Sequence, residues 1–335
     1  MGRKDIFAFP LLCDRRYYFP MKTRNLGKSD LVVSEVGLGC NNFGMLIDRE
    51  SSRKVIDKAL DLGITLFDTA DIYGNRGGSE TILGEVLGAR RKNIVLATKV
   101  GKPMDDAGTM KGASRSYIVS GVEASLRRLK TDWIDLYQIH EPDPLAPIEE
   151  TLRALDDLVR QGKVRCIGCS NFQAHQVAEA CRVSAASRLS CFVSCQDQYN
   201  ILVRGIEKEL IPVMESHGLG LLPFFPLAGG MLTGKYRRSE APAEGTRFAA
   251  WKDLGRRYDT DANWNVIERL ERFCIERQYN MLEAAFGWLL SKPLVASVIA
   301  GATKPAQVEM NVRAAGRCLS GDDVAAIESM PMVDA

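Results

Sequence analysis

From Lys22 onward, short apolar runs alternate with longer stretches in which apolar residues recur every three or four positions. The runs have the length of buried strands, and the period of about 3.6 marks amphipathic helices. A hairpin-like segment over residues 26–33 precedes a first strand at 33–38. Ser51 then caps a helix with Val55, Ile56, Ala59 and Leu60 on one face, and Gly63 ends it. Strands follow at 65–68, 94–99, 133–139, 164–169, 192–196, 220–225 and 295–299. Helices are expected at 79–87, after strand three (Ile118, Val122, Leu126, Leu129), after strand four (Ile148, Leu152, Leu155, Val159), at 174–182 and at 206–216. A long polar segment, 237–261, precedes helices at 262–277 and 282–290, and Pro305 opens one running to 315. Residues 320–329 read as a last helix. Strands that are apolar on both faces predict a parallel sheet covered by helices. Eight strand–helix units predict an α/β fold, a closed (β/α)8 TIM barrel with an N-terminal hairpin and a C-terminal helix, as a single domain over residues 21–335. Function is then expected in the loops after the strands.

Composition narrows the class. With 46% apolar residues, 26% charged residues and a net charge of +2, the 335-residue chain has no basic field for nucleic acid. No apolar run approaches the ~20 residues of a membrane span. Residues 1–20 read as an N-terminal extension outside the fold, with Met21 a candidate natural start. The segment's apolar stretch is short, broken by Pro10, and followed by Asp14-Arg15-Arg16 rather than a small-residue cleavage site. Nine cysteines, most inside apolar runs, suit buried thiols in a reducing, cytoplasmic compartment. Cys166-x-x-Cys169 falls within a strand, where residues three apart point to opposite faces, so it does not read as a redox motif. The three histidines are far apart in sequence and no zinc-ligand spacing occurs, so no metal site is expected.

Candidate chemistry gathers at strand ends. Strand two ends at Asp68 and spills into a loop bearing Tyr73; strand three runs into Lys99 and strand four into His140. A phenol with a pKa near 10 is a poor acid or base at pH 7. A nearby ammonium favours phenolate and is expected to lower that pKa. Asp68 would hold the lysine, and His140 would orient a carbonyl oxygen beside the phenol. Such a set could protonate an oxygen as a hydride reaches its carbon.

Glycine-rich loops add a weaker signal. Gly37-Leu38-Gly39 lacks the third glycine of a dinucleotide fingerprint, and Gly229-x-x-x-x-Gly234-Lys235 is followed by Tyr236 where a P-loop needs Ser or Thr. What survives is a Gly-rich loop with a lysine after strand seven, able to hold a phosphate through N–H groups and charge. Gly301-Ala302-Thr303-Lys304-Pro305 starts a helix after strand eight, a favourable place for an anion.

The chain resembles the aldo-keto reductases over nearly all of residues 22–315. The resemblance rests on Phe67-Asp68-Thr69-Ala70-Asp71-Ile72-Tyr73-Gly74, Ala97-Thr98-Lys99, Tyr137-Gln138-Ile139-His140 and Gly168-Cys169-Ser170-Asn171-Phe172. Gln196-x-x-Tyr199-Asn200, the stretch from Pro226 to Tyr236, and Gly301-Ala302-Thr303-Lys304 complete it. It implies NADPH/NADP+ lying across the barrel mouth and an oxidoreductase that reversibly reduces aldehydes or ketones. Tyr73 would be the general acid, Lys99 and Asp68 its tuning pair, and His140 the carbonyl-orienting residue. Ser170, Asn171 and Gln196 would contact the nicotinamide amide, and Phe224 would stack on its ring. Pro226, Leu227, Gly229 and Lys235 match the pyrophosphate loop; Gly301, Thr303, Lys304, Gln307 and Asn311 match the adenosine and 2′-phosphate region. Departures from the family pattern are Phe225 in place of Ser, Met310 in place of an acidic residue, and Asn41 in place of a large apolar pocket residue. The implied partner is a small-molecule carbonyl or alcohol. Two rival readings are a regulatory protein on the same barrel, like the potassium-channel beta subunits, which carry Asn at the position of His140, and a Schiff-base aldolase using Lys99.

Overall fold

A computed structural model describes residues 21–331; the expected extension at 1–20 lies outside the described residues. A two-stranded antiparallel hairpin, β1 (Thr23–Asn25) and β2 (Val32–Ser34), comes first. The barrel strands are β3 (Val36–Gly39), β4 (Leu66–Asp68), β5 (Val95–Val100), β6 (Ile134–Ile139), β7 (Val164–Ser170), β8 (Phe192–Gln198), β9 (Gly220–Phe224) and β10 (Val298–Gly301). They form one parallel sheet in the order β10-β3-β4-β5-β6-β7-β8-β9. Its two edges meet where Leu221 bridges Val295, with the Leu221 N–H donating to Leu294 O at 2.8 Å, so the sheet closes into a barrel.

The helices are α1 (Arg49–Asp61), α2 (Tyr73–Leu87), α3 (Arg115–Leu129), α4 (Ile148–Arg160), α5 (Ala174–Ser187), α6 (Leu210–His217), α7 (Arg247–Ala250), α8 (Lys252–Tyr258), α9 (Asp261–Arg277), α10 (Met281–Leu290), α11 (Pro305–Ala315) and α12 (Gly321–Glu328). Their apolar faces lie on the outer face of the barrel; α4, for example, buries Leu152, Leu155 and Leu158. A separate cluster fills the barrel interior. Leu26, Leu31 and Val33 of the hairpin plug its lower end against Leu66, Val95, Leu136 and Leu222. Full burial of each such side chain is worth about 1.5–3 kcal/mol. Gly27 makes this plug possible: its φ is +58°, and a Cβ there would lie 2.6 Å from Val193 O.

The structure moves several predicted boundaries. The run expected as one strand at 33–38 breaks at Glu35 into β2 and β3. Asp48, not Ser51, caps α1, its Oδ1 accepting the Ser51 N–H at 2.8 Å. The 206–216 helix divides into a short turn at Gly205–Glu207 and α6. The polar segment 237–261 holds α7 and α8. Cys166 faces the barrel interior and Cys169 the layer under the helices, as alternation predicts.

Candidate active site

The C-terminal strand ends converge on one mouth. Asp68 ends β4, Lys99 lies near the end of β5, His140 follows β6, Ser170 ends β7, Gln196 lies in β8 and Phe224 ends β9. Lys99 is fully buried and donates to Asp68 Oδ2 at 2.7 Å and to Thr69 O at 2.9 Å. Its Nζ lies 5.0 Å from the centre of the Tyr73 ring. The Tyr73 and His140 rings meet edge to face, 5.7 Å apart at 84°. The four residues expected to act together therefore form one cluster.

Burial sets the protonation states. It pulls the Lys99 pKa down, but Asp68 and Tyr73 more than offset it, and the ammonium ends above the ordinary lysine value. Tyr73 corrects the sequence expectation. Lys99 does lower its pKa, but burial outweighs that, and the phenol titrates above its usual value of 10. Tyr73 is thus protonated at neutral pH. His140 is pushed well below the usual imidazole value by burial, then by Lys99 and Lys102, and its Nδ1 is buried without a partner. A neutral imidazole keeps one N–H to donate to a carbonyl oxygen.

The backbone around Tyr73 is unusual. Gly74, Asn75, Arg76 and Gly77 form a left-handed turn, with φ of 67°, 58°, 69° and 107°, before the regular part of α2. For Asn75 and Arg76 this costs about 1–2 kcal/mol each. A Cβ at Gly74 would lie 2.4 Å from Phe43 O, so this turn sits against the loop after β3. Thr69 and Ser79 side chains, 2.8 Å apart, and the Ser79 hydroxyl donating to Cys40 O at 2.8 Å fasten its far end.

Ser170, Asn171 and Gln196 meet beside the cluster. Ser170 Oγ donates to Gln196 O at 2.7 Å, Asn171 Nδ2 to His140 O at 2.9 Å, and Gln196 Nε2 to Asp68 Oδ1 at 2.8 Å. The sequence reading gave no role to Gln138. Fully buried, it donates weakly to Asp68 Oδ1 at 3.4 Å and sits opposite Lys99 in the β5–β6 register. Its signal was an amide side chain in a buried strand whose other residues, Asp135 and Tyr137 apart, are aliphatic.

The loop after β9 carries Pro226, Leu227, Gly229 and Lys235. Positive φ at Ala228, Gly229 and Gly230 coils it tightly, and a Cβ at Gly229 would strike Phe248 at 2.5 Å. Phe248 stacks on Tyr236, 4.4 Å between centres, and so binds α7 to this loop. Phe224 packs edge-on against Phe225. At the start of α11, Gln307 Oε1 accepts from the Thr303 N–H at 2.7 Å, the Thr303 hydroxyl at 3.1 Å and the Lys304 N–H at 3.1 Å. Those two N–H groups, expected to await an anion, are capped by Gln307, and the Lys304 side chain is exposed. Asn311 is buried. Arg247 instead brings a half-buried cation to the mouth. Its Nη2 donates to Asn42 Oδ1 at 2.8 Å, its guanidinium lies 4.8 Å from the Trp251 ring, and a Cβ on Gly301 would be 3.4 Å from Nη2.

Among the described residues, no helix is long and apolar enough to cross a membrane, and no cluster of His, Cys, Asp and Glu could hold a metal ion.

Comparison with known proteins agrees with this geometry. Residues 35–331 match the model of the Aldo/keto reductase family. The chain is 37% identical to a probable voltage-gated potassium channel subunit beta of Arabidopsis thaliana, over 88% of this chain and 91% of that one. It is 33% identical to L-glyceraldehyde 3-phosphate reductase of Escherichia coli, over 90% of each. Among solved structures, the holo form of aldo-keto reductase AKR11C1 from Bacillus halodurans matches with a TM-score of 0.75 and 34% identity, covering 92% of this chain and 96% of that one. The chain belongs to the aldo-keto reductase family. Membership and the oxidoreductase relatives support an enzyme of carbonyl reduction in general, with a nicotinamide cofactor.

Proposed function

We propose that this family member is an NADPH-dependent carbonyl reductase in which Tyr73 gives the proton to the substrate oxygen. The observation that carries the reading is the buried Asp68–Lys99 pair beside Tyr73, Lys99 Nζ lying 5.0 Å from that ring's centre, with neutral His140 against the same ring. The residues present fit an extended dinucleotide. Ser170, Asn171 and Gln196 form a polar patch suited to a carboxamide, Phe224 offers a ring at the end of β9, and the loop coiled tightly through positive φ at Ala228, Gly229 and Gly230 offers backbone N–H groups suited to a phosphate. Arg247 beside Gly301 supplies a cation for a phosphate. When bound, NADPH supplies the hydride.

The chain's own residues do the rest. His140 donates a hydrogen bond to the carbonyl oxygen and polarises it. Tyr73, protonated because burial raises its pKa, releases its proton to that oxygen. The Lys99 ammonium, fixed by Asp68, stabilises the phenolate left behind. In the alcohol-oxidising direction the same phenolate is the base. Lys99 is held charged by Asp68 and Tyr73, which argues against its serving as a Schiff-base nucleophile, since that needs a neutral amine. His140 favours an enzyme over a purely regulatory protein despite the potassium-channel relative.

The test is NADPH oxidation, followed by loss of absorbance, over a panel of aldehydes, ketones and sugars. Turnover of at least one carbonyl class, lowered by on the order of 10²-fold or more with Tyr73→Phe, is expected. NADPH binding with no turnover of any member would favour the regulatory reading.

A further inference from the structure

Four of the eight cysteines among the described residues gather on one flank of the barrel, all as free thiols. Cys169 of β7 and Cys195 of β8 face each other with Sγ atoms 3.6 Å apart, both fully buried. Cys181, in α5, and Cys191, the residue before β8, have Sγ atoms 3.5 Å apart. The two pairs differ in access, because Cys191 is half-buried while Cys181, Cys169 and Cys195 are buried. An oxidant from solvent therefore meets Cys191 first.

The segment between Cys181 and Cys191 is already fastened. The Leu189 N–H donates to Ser184 O at 2.9 Å, and Ser184 Oγ to Ser190 O at 3.1 Å. Asp156 of α4 accepts both the Ser190 N–H and its hydroxyl at 2.9 Å. These bonds hold the residue before Cys191 against α5, so the two sulfurs start near bonding distance with little chain left to order. A disulfide needs them at about 2.05 Å, a small shift from 3.5 Å.

We propose that Cys181 and Cys191 are a reversible oxidation site, in which a hydroperoxide oxidises Cys191 and Cys181 resolves the product into an intramolecular disulfide. The Cys191 thiolate attacks one peroxide oxygen; the S–O bond forms, the O–O bond breaks, and hydroxide (or alkoxide) leaves. The Cys181 sulfur then attacks the sulfenic sulfur; the S–S bond forms, the S–O bond breaks, and hydroxide departs with the Cys181 proton as water. Two thiols lose two electrons and the peroxide gains two. The Cys191 thiol is also pulled down to about 7, first by its hydrogen bond with Cys181, against burial, with help from Ser184 and the Phe192 N–H. The thiolate is the form that reacts, and a resolving thiol alongside favours the disulfide over higher oxidation.

The test uses the reduced full-length protein, treated with hydrogen peroxide, alkylated, digested with trypsin and read by tandem mass spectrometry. Trypsin leaves Cys166, Cys169 and Cys181 in one peptide, and Cys191 and Cys195 in another. A cross-link between the two, lighter by about 2 Da for the hydrogens lost, is expected, with fragment ions placing it at Cys181 and Cys191. Dithiothreitol should reverse it and Cys191→Ser should abolish it. In Cys181→Ala, a dimedone-type sulfenic acid probe should label Cys191 instead. A link placed at Cys169 and Cys195 would overturn the proposal. So would wild-type protein that shows no link while exposed Cys318 is oxidised.

Discussion

Lys99 Nζ lies 2.7 Å from Asp68 Oδ2, and neither side chain is open to solvent. Removing one partner of a buried pair strands the other charge, which typically costs about 3–5 kcal/mol. Lys99→Met and Asp68→Asn should therefore each lower stability in urea denaturation and also depress kcat. Lys99→Met combined with Asp68→Leu should recover much of the stability and none of the activity. Recovery of both would show that the pair only fills space.

Tyr73→Phe should lower kcat by on the order of 10²-fold or more, the usual worth of general acid catalysis. Cofactor affinity should barely change. The directions of the shifts also set the pH profile. The phenol titrates above its usual 10 and the imidazole well below its usual 6.5. Carbonyl reduction, which needs protonated Tyr73 and neutral His140, should stay flat between those two values. Alcohol oxidation, which needs the phenolate, should climb with pH. A bell centred near neutrality in the reductive direction would contradict the assignment.

The strand ends were legible because apolar runs stop where the chain turns polar, which put Asp68, Lys99 and His140 at one mouth. The turn at Asn75 and Arg76 was not. Positive φ at non-glycine residues is imposed from outside, here where Gly74 meets Phe43 O and Gly77 meets Arg128. Helices α7 and α8 were hidden in a polar segment for a related reason. They are too short to form on propensity alone, and Phe248, stacked between Tyr236 and Tyr258, holds them. Ser51 looked like a cap because Ser favours that place. Asp48 takes it, and the chain between them forms the first turn. The Asn42–Arg247 contact joins residues 205 apart in sequence, beyond any local pattern.

Asp71 gives a pH test of stability. Its carboxyl is pushed up from 3.8 to about 7 by burial, then by Glu80, against Arg128, and its Oδ1 is buried without a partner. The folded state thus holds a proton that the unfolded chain releases near 3.8, so stability falls as pH rises from there to about 7. Asp71→Asn mimics the protonated acid and removes this loss. At about 1.4 kcal/mol per unit, the variant should gain on the order of a few kcal/mol over wild type at pH 8. Near pH 4 the two should be alike. Urea denaturation at both pH values checks this, and a difference independent of pH would refute it.

The last prediction concerns how NADPH is told from NADH. They differ by the 2′-phosphate, so the deciding residue is a cation at that corner. Lys304 is exposed, and Gln307 already takes its N–H and that of Thr303. A solvated lysine of this kind contributes about 0–1 kcal/mol. Arg247 is half-buried, its hydrogen bond goes to the neutral Asn42 amide, and it lies beside Gly301, where the adenosine end is expected. A partly desolvated guanidinium gains more from an anion, roughly 1.5–3 kcal/mol for a charge-assisted contact, or about ten- to a hundredfold in affinity. Arg247→Ala should therefore weaken NADPH by that factor and leave NADH nearly unchanged, while Lys304→Ala should weaken NADPH by less than about fivefold, the limit set by 1 kcal/mol. Fluorescence-quenching titrations of both cofactors with wild type and both variants check it. Equal loss of NADPH and NADH in Arg247→Ala would assign Arg247 to the pyrophosphate, and the larger loss in Lys304→Ala would return the 2′-phosphate to the start of α11.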